Sequence, residues 1–227
     1  MPLPTRIGRL KVPVLCFVVS KASVKDGDVE KAVTEAIAGG VNMVQLRDHE
    51  TPAGELLALA RRLKTLMRGK AMLMVNDRVD IAVAAELDGV QLPEDGIPTR
   101  VARNLVGRYA VVGRSVHSVD SAQAASREGA EMVIAGTIYK SPSKPDQKPA
   151  GPNLLKEITK DTSLPVVAIG GITAEKVDEV IKAGAYGVAV ISAIAGADDR
   201  KAAAEALATA LKEAWANKAE ALNTKSA

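Results

Sequence analysis

Apolar residues in this chain come in short unbroken runs, and between the runs lie longer segments with polar faces. "VPVLCFVVS" opens the series, and "DVEKAVTEAIAGG" follows with helical spacing stopped by paired glycines. "VNMVQLR" is a second run. "PAGELLALARRLKTLM" after it predicts a helix with proline near its start. "AMLMVND", "DGVQL", "AVVGRSVH", "EMVIAGTIY", "LPVVAIGG" and "YGVAVIS" predict six more strands, with "SVDSAQAASREGA", "GPNLLKEITKD" and "TAEKVDEVIKAGA" as helices among them. The strands are apolar throughout rather than alternating, the pattern of a parallel sheet buried on both faces.

Eight strand–helix units, at a spacing of roughly 25–30 residues, predict an α/β fold: a single (β/α)8 TIM barrel. One domain then spans residues 1–227, with the barrel at about 12–216. A last helix runs from about Asp198 through Ala216, and the "NTKSA" tail is expected to fray. An open doubly wound sheet is the rival, but eight successive units favour closure.

Composition sharpens this only in places. The 227 residues carry a net charge of +3, and the pI is about 8.9. So small a surplus, spread along the chain, speaks against a nucleic-acid partner and suits a modest anionic ligand. Aromatics at 2% leave no base-stacking platform. No run reaches membrane-spanning length, and "MPLPTRIGRLK" is too short and polar for a signal peptide, so no membrane partner is expected. Cys16, the one cysteine, sits in an apolar run and reads as a small buried side chain. A reducing compartment, the cytoplasm, is the expected location.

In a TIM barrel the chemistry lies at the C-terminal strand ends. The polar residues placed there are Gln45, Arg47 and Asp48; Asn76 and Asp77; Gln91, Glu94 and Asp95; Ser115 and His117; Thr137 to Lys144; Gly170–Gly171; and Ser192. The loops after strands seven and eight, "GGITAEK" and "ISAI", are where such barrels commonly bind phosphate. There Gly170 and Gly171 admit close backbone approach, and a helix N-terminus adds its dipole. A tight turn that merely needs glycine is the alternative. The "YKSPSKPDQKPAGP" segment is long enough for a lid or a solvated flap.

"QLRD", "VNDRVDIA", "DGVQLP", "GRSVHS", "SPSK", "PVVAIGGI" and "GVAVISAI", in this order from about Leu15 to Ile194, resemble the thiamin phosphate synthase and thiazole tautomerase superfamily. In the synthase, a pyrimidine pyrophosphate is displaced by a thiazole phosphate with Mg²⁺. By resemblance the first substrate would meet Gln45–His49, Asn76–Asp77, Ser115 and Lys144. The thiazole phosphate would meet Ser141, Ser143, Gly171, Ile191 and Ser192, with Mg²⁺ on Asp77 and an Asp after strand four. This chain departs from that pattern at two places. His49 stands where the resemblance implies a lysine, and Gly96 where it implies the second metal-binding Asp.

Those departures, with "VQLP" and "GRSVHS", resemble the tautomerase branch more closely. The expectation is therefore a thiazole tautomerase that aromatises a carboxythiazole phosphate. His117 would shuttle the proton, since an unperturbed imidazole titrates near neutral pH. Gln45, Arg47, Asn76, Ser115 and Lys144 would hold the rest of the substrate, with Arg47 suited to its carboxylate. Ser141, Ser143, Gly170, Gly171, Ile191 and Ser192 would hold the phosphate. No metal or other cofactor is expected on this reading, and Glu94 and Asp95 become rim charges. His49 is a secondary acid–base candidate, and Asp77 a helix cap or a partner for Arg78. The partner is a small thiazole phosphate, and a homo-oligomer is left open. An Mg²⁺-dependent synthase with a shifted metal loop is the runner-up. A non-catalytic barrel that binds thiazole or thiamin phosphates is the third reading.

Overall fold

The computed structural model describes residues 6–141 and 146–225, without the side chains of residues 6, 7 and 222–225. Its centre is a closed parallel barrel of eight strands. These are β1 (Val14–Val19), β2 (Met43–Leu46), β3 (Met72–Asn76), β4 (Gly89–Leu92), β5 (Val111–Val116), β6 (Met132–Ala135), β7 (Val166–Ile169) and β8 (Gly187–Val190). The helices outside it are α1 (Val29–Ala38), α2 (Ala53–Met67), α3 (Val79–Ala84), α4 (Thr99–Val106), α5 (Val119–Arg127), α6 (Pro152–Asp161), α7 (Val177–Lys182), α8 (Ser192–Ala195) and α9 (Arg200–Lys225). The fold is the (β/α)8 TIM barrel that the run-and-helix pattern predicts. No helix is long and apolar enough to cross a membrane among the described residues.

Val, Ile, Leu and Met fill the strands, and nearly all of β1, β2, β4, β6 and β8 is buried. Cys16 is fully buried in β1, and burial pushes its thiol up to about 12, so it behaves as a core side chain rather than a nucleophile. Closure depends on β8 lying against β1, with Gly187 opposite Val14 and Val190 opposite Phe17. A Cβ on Gly187 would come within 2.1 Å of the Val14 carbonyl oxygen. Only glycine lets the two backbones pair that closely.

Three features depart from the sequence expectation. A two-residue antiparallel hairpin, Arg6–Ile7 with Leu10–Lys11, precedes the barrel. α9 continues to Lys225 where fraying is expected, because Ala, Lys and Glu in "ANKAEALNTK" are good helix formers. The helix after β8, α8, is a single turn of four residues.

Side chains that bridge sequence-distant elements hold α9 in place. Arg200, 7% exposed, donates to Glu35 of α1 at 3.0 Å and to Asp26 at 2.9 Å. Lys218 lies over the Tyr186 and Trp215 rings and reaches the Gly184 and Ala185 carbonyls. Burial holds its ammonium below the ordinary lysine range.

Gly187→Ala is expected to destabilise the fold by about 2–3 kcal/mol, the scale of overpacking against an immovable neighbour. Gly54→Ala, with nothing within 4 Å of the added Cβ, is expected to stabilise α2 by about 0.5–1 kcal/mol. Urea unfolding of the two variants checks both signs.

Candidate active site

The strand C-termini open into a cavity of about 730 Å³. From β2 it takes Gln45, Arg47 and His49; from β3, Asn76 and Asp77; from the β4 loop, Pro93, Glu94 and Asp95; from β5, Ser115 and His117. Thr137, Ser141, Gly170 and Ile191 close the far side. A smaller chamber of about 310 Å³ adjoins it over β7 and β8. Ser141, Ile169, Gly170 and Ile191 belong to both. Gly171, Ser192, Lys140 and Lys176 line only the smaller one. Ser143 and Lys144 lie outside the described residues.

A polar layer inside the barrel supports the cavity floor. The Gln45 amide donates to Asn76 Oδ1 at 3.0 Å, and the Gln91 amide donates to Ser115 Oγ at 3.1 Å. Gln45, Asn76 and Gln91 are all buried. Gln91 Oε1 sits where a Cβ on Gly113 would be, only 2.1 Å away, so the glycine of β5 makes room for the amide. Such pairing orients Asn76 and Ser115 at their strand ends, since buried polar groups are costly unless hydrogen-bonded.

The loops are shaped by their own hydrogen bonds. Asp48 accepts from the backbone N–H groups of Lys21, Glu50 and Thr51 at 3.0–3.1 Å. Burial pushes its carboxyl up, but these bonds together hold it below the ordinary aspartate range. The turn it stabilises carries Arg47 and His49. At the next loop, the Arg114 guanidinium donates to the carbonyls of Glu94 at 2.7 Å, Gly96 at 3.2 Å and Ile97 at 2.6 Å. β5 thus clamps the loop that follows β4.

Glu94 and Asp95 are exposed, as rim charges are, but they do more than carry charge at the rim. Both line the cavity, and Glu94 holds His117, with imidazole Nδ1 2.5 Å from its Oε2. A carboxylate only accepts, so Nδ1 carries the proton and Nε2 is the ring nitrogen left for a ligand. Burial raises the Glu94 carboxyl, but hydrogen bonds from Ser121 and His117 and the imidazole's charge outweigh it and hold the group below the ordinary range.

Asp77 also departs from its expected roles. The residue at the α3 N-cap position is Arg78, with no side-chain cap, and Arg78 pairs with Asp80 at 2.5 Å. Asp77 instead sits at φ 62°, uncommon outside glycine and best tolerated by Asn and Asp. It faces the cavity together with Asp95. Among the described residues no three His, Cys, Asp or Glu side chains cluster as a metal cage. Mg²⁺ does not need one, because it takes one or two carboxylates plus substrate phosphate oxygens. Asp77 and Asp95 are two carboxylates that line the same cavity.

Gly170 and Gly171, at φ 106° and 61°, line the smaller chamber and also serve a contact between loops. A Cβ on Gly170 would meet Thr137 at 2.5 Å, and one on Gly171 would meet the Lys140 carbonyl at 2.2 Å. The glycines let the β7 loop press against the β6 loop, where Tyr139 N–H donates to the Gly170 carbonyl at 2.9 Å. The four-residue α8 is too short to supply much of a dipole. Positive charge comes from Lys140 and Lys176 instead. Lys176 escapes sequence reasoning because its only signal is a lysine five residues past the glycine pair. Its ammonium donates to the Gly171 carbonyl at 2.8 Å and lies 4.7 Å from the centre of the Tyr139 ring.

A closed parallel barrel that gathers its polar side chains at the strand C-termini is the build of a TIM-barrel enzyme. Residues 15–194 match the thiamine monophosphate synthase family, and the chain belongs to that family. It is 41% identical over 208 residues to thiamine-phosphate synthase of Roseiflexus castenholzii, which covers 91% of this chain and 90% of that protein. It is 44% identical over 186 residues to thiamine-phosphate synthase of Natronomonas pharaonis, covering 80% and 87% respectively. Thiamine phosphate pyrophosphorylase from Pyrococcus furiosus superposes with a TM-score of 0.81 at 34% identity, over 89% of this chain and 97% of that one. These relatives overturn the thiazole tautomerase expectation. Gly96 and His49 point away from the synthase, whereas Asp95, one residue before Gly96, lines the same cavity as Asp77.

A pH test follows from Glu94. A carboxyl held low in the folded state contributes stability that is present above its unfolded value and lost as pH falls. The stability gap between wild type and Glu94→Gln is expected at pH 7. It should close as pH drops below the ordinary glutamate value of 4.5, as read by denaturant unfolding at each pH.

Proposed function

We propose that this protein is a thiamin phosphate synthase, a transferase that joins hydroxymethylpyrimidine pyrophosphate to thiazole phosphate. The observation that carries the reading is the pair of communicating chambers with different equipment. The larger combines Arg47, Asn76, Ser115 and His117 with three carboxylates, Asp77, Glu94 and Asp95. The smaller combines glycine backbone with Lys140 and Lys176. A tautomerase of a carboxythiazole phosphate must grip one carboxylate and one phosphate, whereas the condensation must grip a pyrophosphate, which calls for metal-holding carboxylates, and a second phosphate. The larger volume lies within the roughly 300–1,000 Å³ range of small-molecule sites.

In the reaction, the bond between the pyrimidine methylene carbon and the pyrophosphate oxygen breaks, and the oxygen keeps the electron pair. The thiazole nitrogen gives its lone pair to the same carbon, which leaves a thiazolium. Asp77 and Asp95 would hold Mg²⁺, which when bound neutralises charge on the leaving pyrophosphate. Arg47 offers a forked donor to the same phosphates, and Ser115 and the Gln45–Asn76 pair position the pyrimidine side. Gly170, Gly171, Ile191, Ser192 and Ser141 hold the thiazole phosphate, with Ser143 and Lys144 expected to join them from sequence alone, and Lys176 adds a cation. His117, oriented by Glu94, presents Nε2 toward the reacting groups. With a second ring proton on Nε2, it would donate to departing phosphate oxygens rather than abstract a carbon-bound proton. Aligning the two substrates is itself the larger part of catalysis in such a displacement.

Incubating the protein with both purified substrates is expected to yield thiamin phosphate and pyrophosphate, with loss of turnover on addition of EDTA. Asp77→Asn should lower kcat/KM by about 10²-fold, the scale of removing a charged contact to a transferring phosphate. Lys176→Met should raise KM for the thiazole phosphate and leave KM for the pyrimidine substrate unchanged. Product formation that is indifferent to EDTA and to Asp77→Asn would overturn the assignment.

A further inference from the structure

At the end of the barrel opposite the two chambers, a hollow of about 590 Å³ opens where β2 and β3 begin. Arg9, Lys11, Lys64, Arg68 and Lys70 line it against one carboxylate, Asp88. That carboxylate is already engaged, since its Oδ2 accepts the Leu73 N–H at 2.7 Å. Lys64 caps the Ala85 and Glu86 carbonyls and lies 3.5 Å from the Glu86 side chain. Lys11, Arg68 and Lys70 form no ion pair among the described residues.

The sequence suggests a charge surplus spread along the chain. The fold instead brings these cations together from the N-terminal hairpin, from α2 and from the turn between α2 and β3. Like charges on the walls of a concavity repel one another and focus positive potential into it, and a multivalent anion relieves both effects. The lining contains no aromatic ring; the nearby Tyr109 ring already carries the Arg9 guanidinium, 5.4 Å from its centre. The apolar lining is short, from Leu10, Met43 and Met67 among others, and the volume is that of a small-ligand site.

We propose that this hollow is a second anion site that takes a compact oligophosphate of the pyrophosphate or tripolyphosphate class. Lys11 and Arg9 reach the ligand from the hairpin, and Arg68 and Lys70 reach it from either side of Gly69. A bound oligophosphate therefore ties the hairpin to the α2–β3 turn. The site is independent of the reaction proposed at the other end, and it binds whether or not the chain makes thiamin phosphate.

The test is titration of tripolyphosphate into the full chain, followed by the ¹⁵N–¹H resonances of Gly8 and Gly69, which report the hollow and not the chambers. Saturable shifts of both are expected, and they should weaken at least tenfold in Arg68→Glu/Lys70→Glu. Turnover of the two thiamin precursors should stay at the wild-type level in that variant. Gly8 and Gly69 resonances that stay still in the wild type would overturn the site, as would equal shifts from sulfate at matched ionic strength. Equal shifts in the double variant would also overturn it. If the double variant does not fold, the wild-type comparison of tripolyphosphate with sulfate decides alone.

Discussion

Gly187 lets β8 lie against β1, and the other seven strand pairings then have no choice but to close. Because all eight strands are parallel, closure sends every strand's C-terminal end to the same rim. Eight loops that are far apart in sequence become neighbours around one opening. The carbonyl of Val14 and the missing side chain of residue 187 therefore matter to chemistry that neither of them touches. Arg47, Asp77, Asp95, His117 and Gly170 face a common cavity because the ring is closed, not because local sequence aims them at one another.

On that rim the residues that meet a ligand are held by others that do not. Asp48 stabilises the turn that carries Arg47 and His49 through three backbone N–H groups. Arg114 holds three carbonyls of the β4 loop, so Glu94 is in position to hold His117. Gly113 makes space for the Gln91 amide, which holds Ser115. In each case a polar group fixes a neighbour through hydrogen bonds, which is how a loop site gains the rigidity of the sheet beneath it.

The barrel was legible because its signal is local and repeated: apolar runs too short for helices, glycines where helices end, and one period kept eight times. The strand-end positions of Gln45, Asn76, Ser115 and Gly170 follow directly from that frame. What was not legible depends on geometry between loops. Asp95 looked one residue out of register beside Gly96, yet the turn from Pro93 to Gly96, closed by a 3.1 Å hydrogen bond, leaves it on the cavity wall. Lys176 carries no motif and becomes relevant only when the β7 loop folds over Tyr139. Gly170 and Gly171 were read as making room for an anion, and the first thing they make room for is the neighbouring loop. The cations of the foot are scattered in sequence from residue 9 to residue 70 and share a wall only in the folded chain.

The tie between α9 and α1 has a consequence for how the molecule is made. Arg200 and Asp26 are 174 residues apart, and β1 finds one of its two partners only in β8. A chain that leaves the ribosome N-terminus first exposes one flank of β1, a row of unpaired backbone groups, for most of its synthesis. Local helix–strand units can form early, but the ring is completed in a late, long-range step. The vulnerable species is thus the chain before β8 and α9 have formed, an open sheet awaiting the strand and helix that close it. Conditions that slow translation between β1 and β8 will expose that edge for longer than conditions that slow translation before β1.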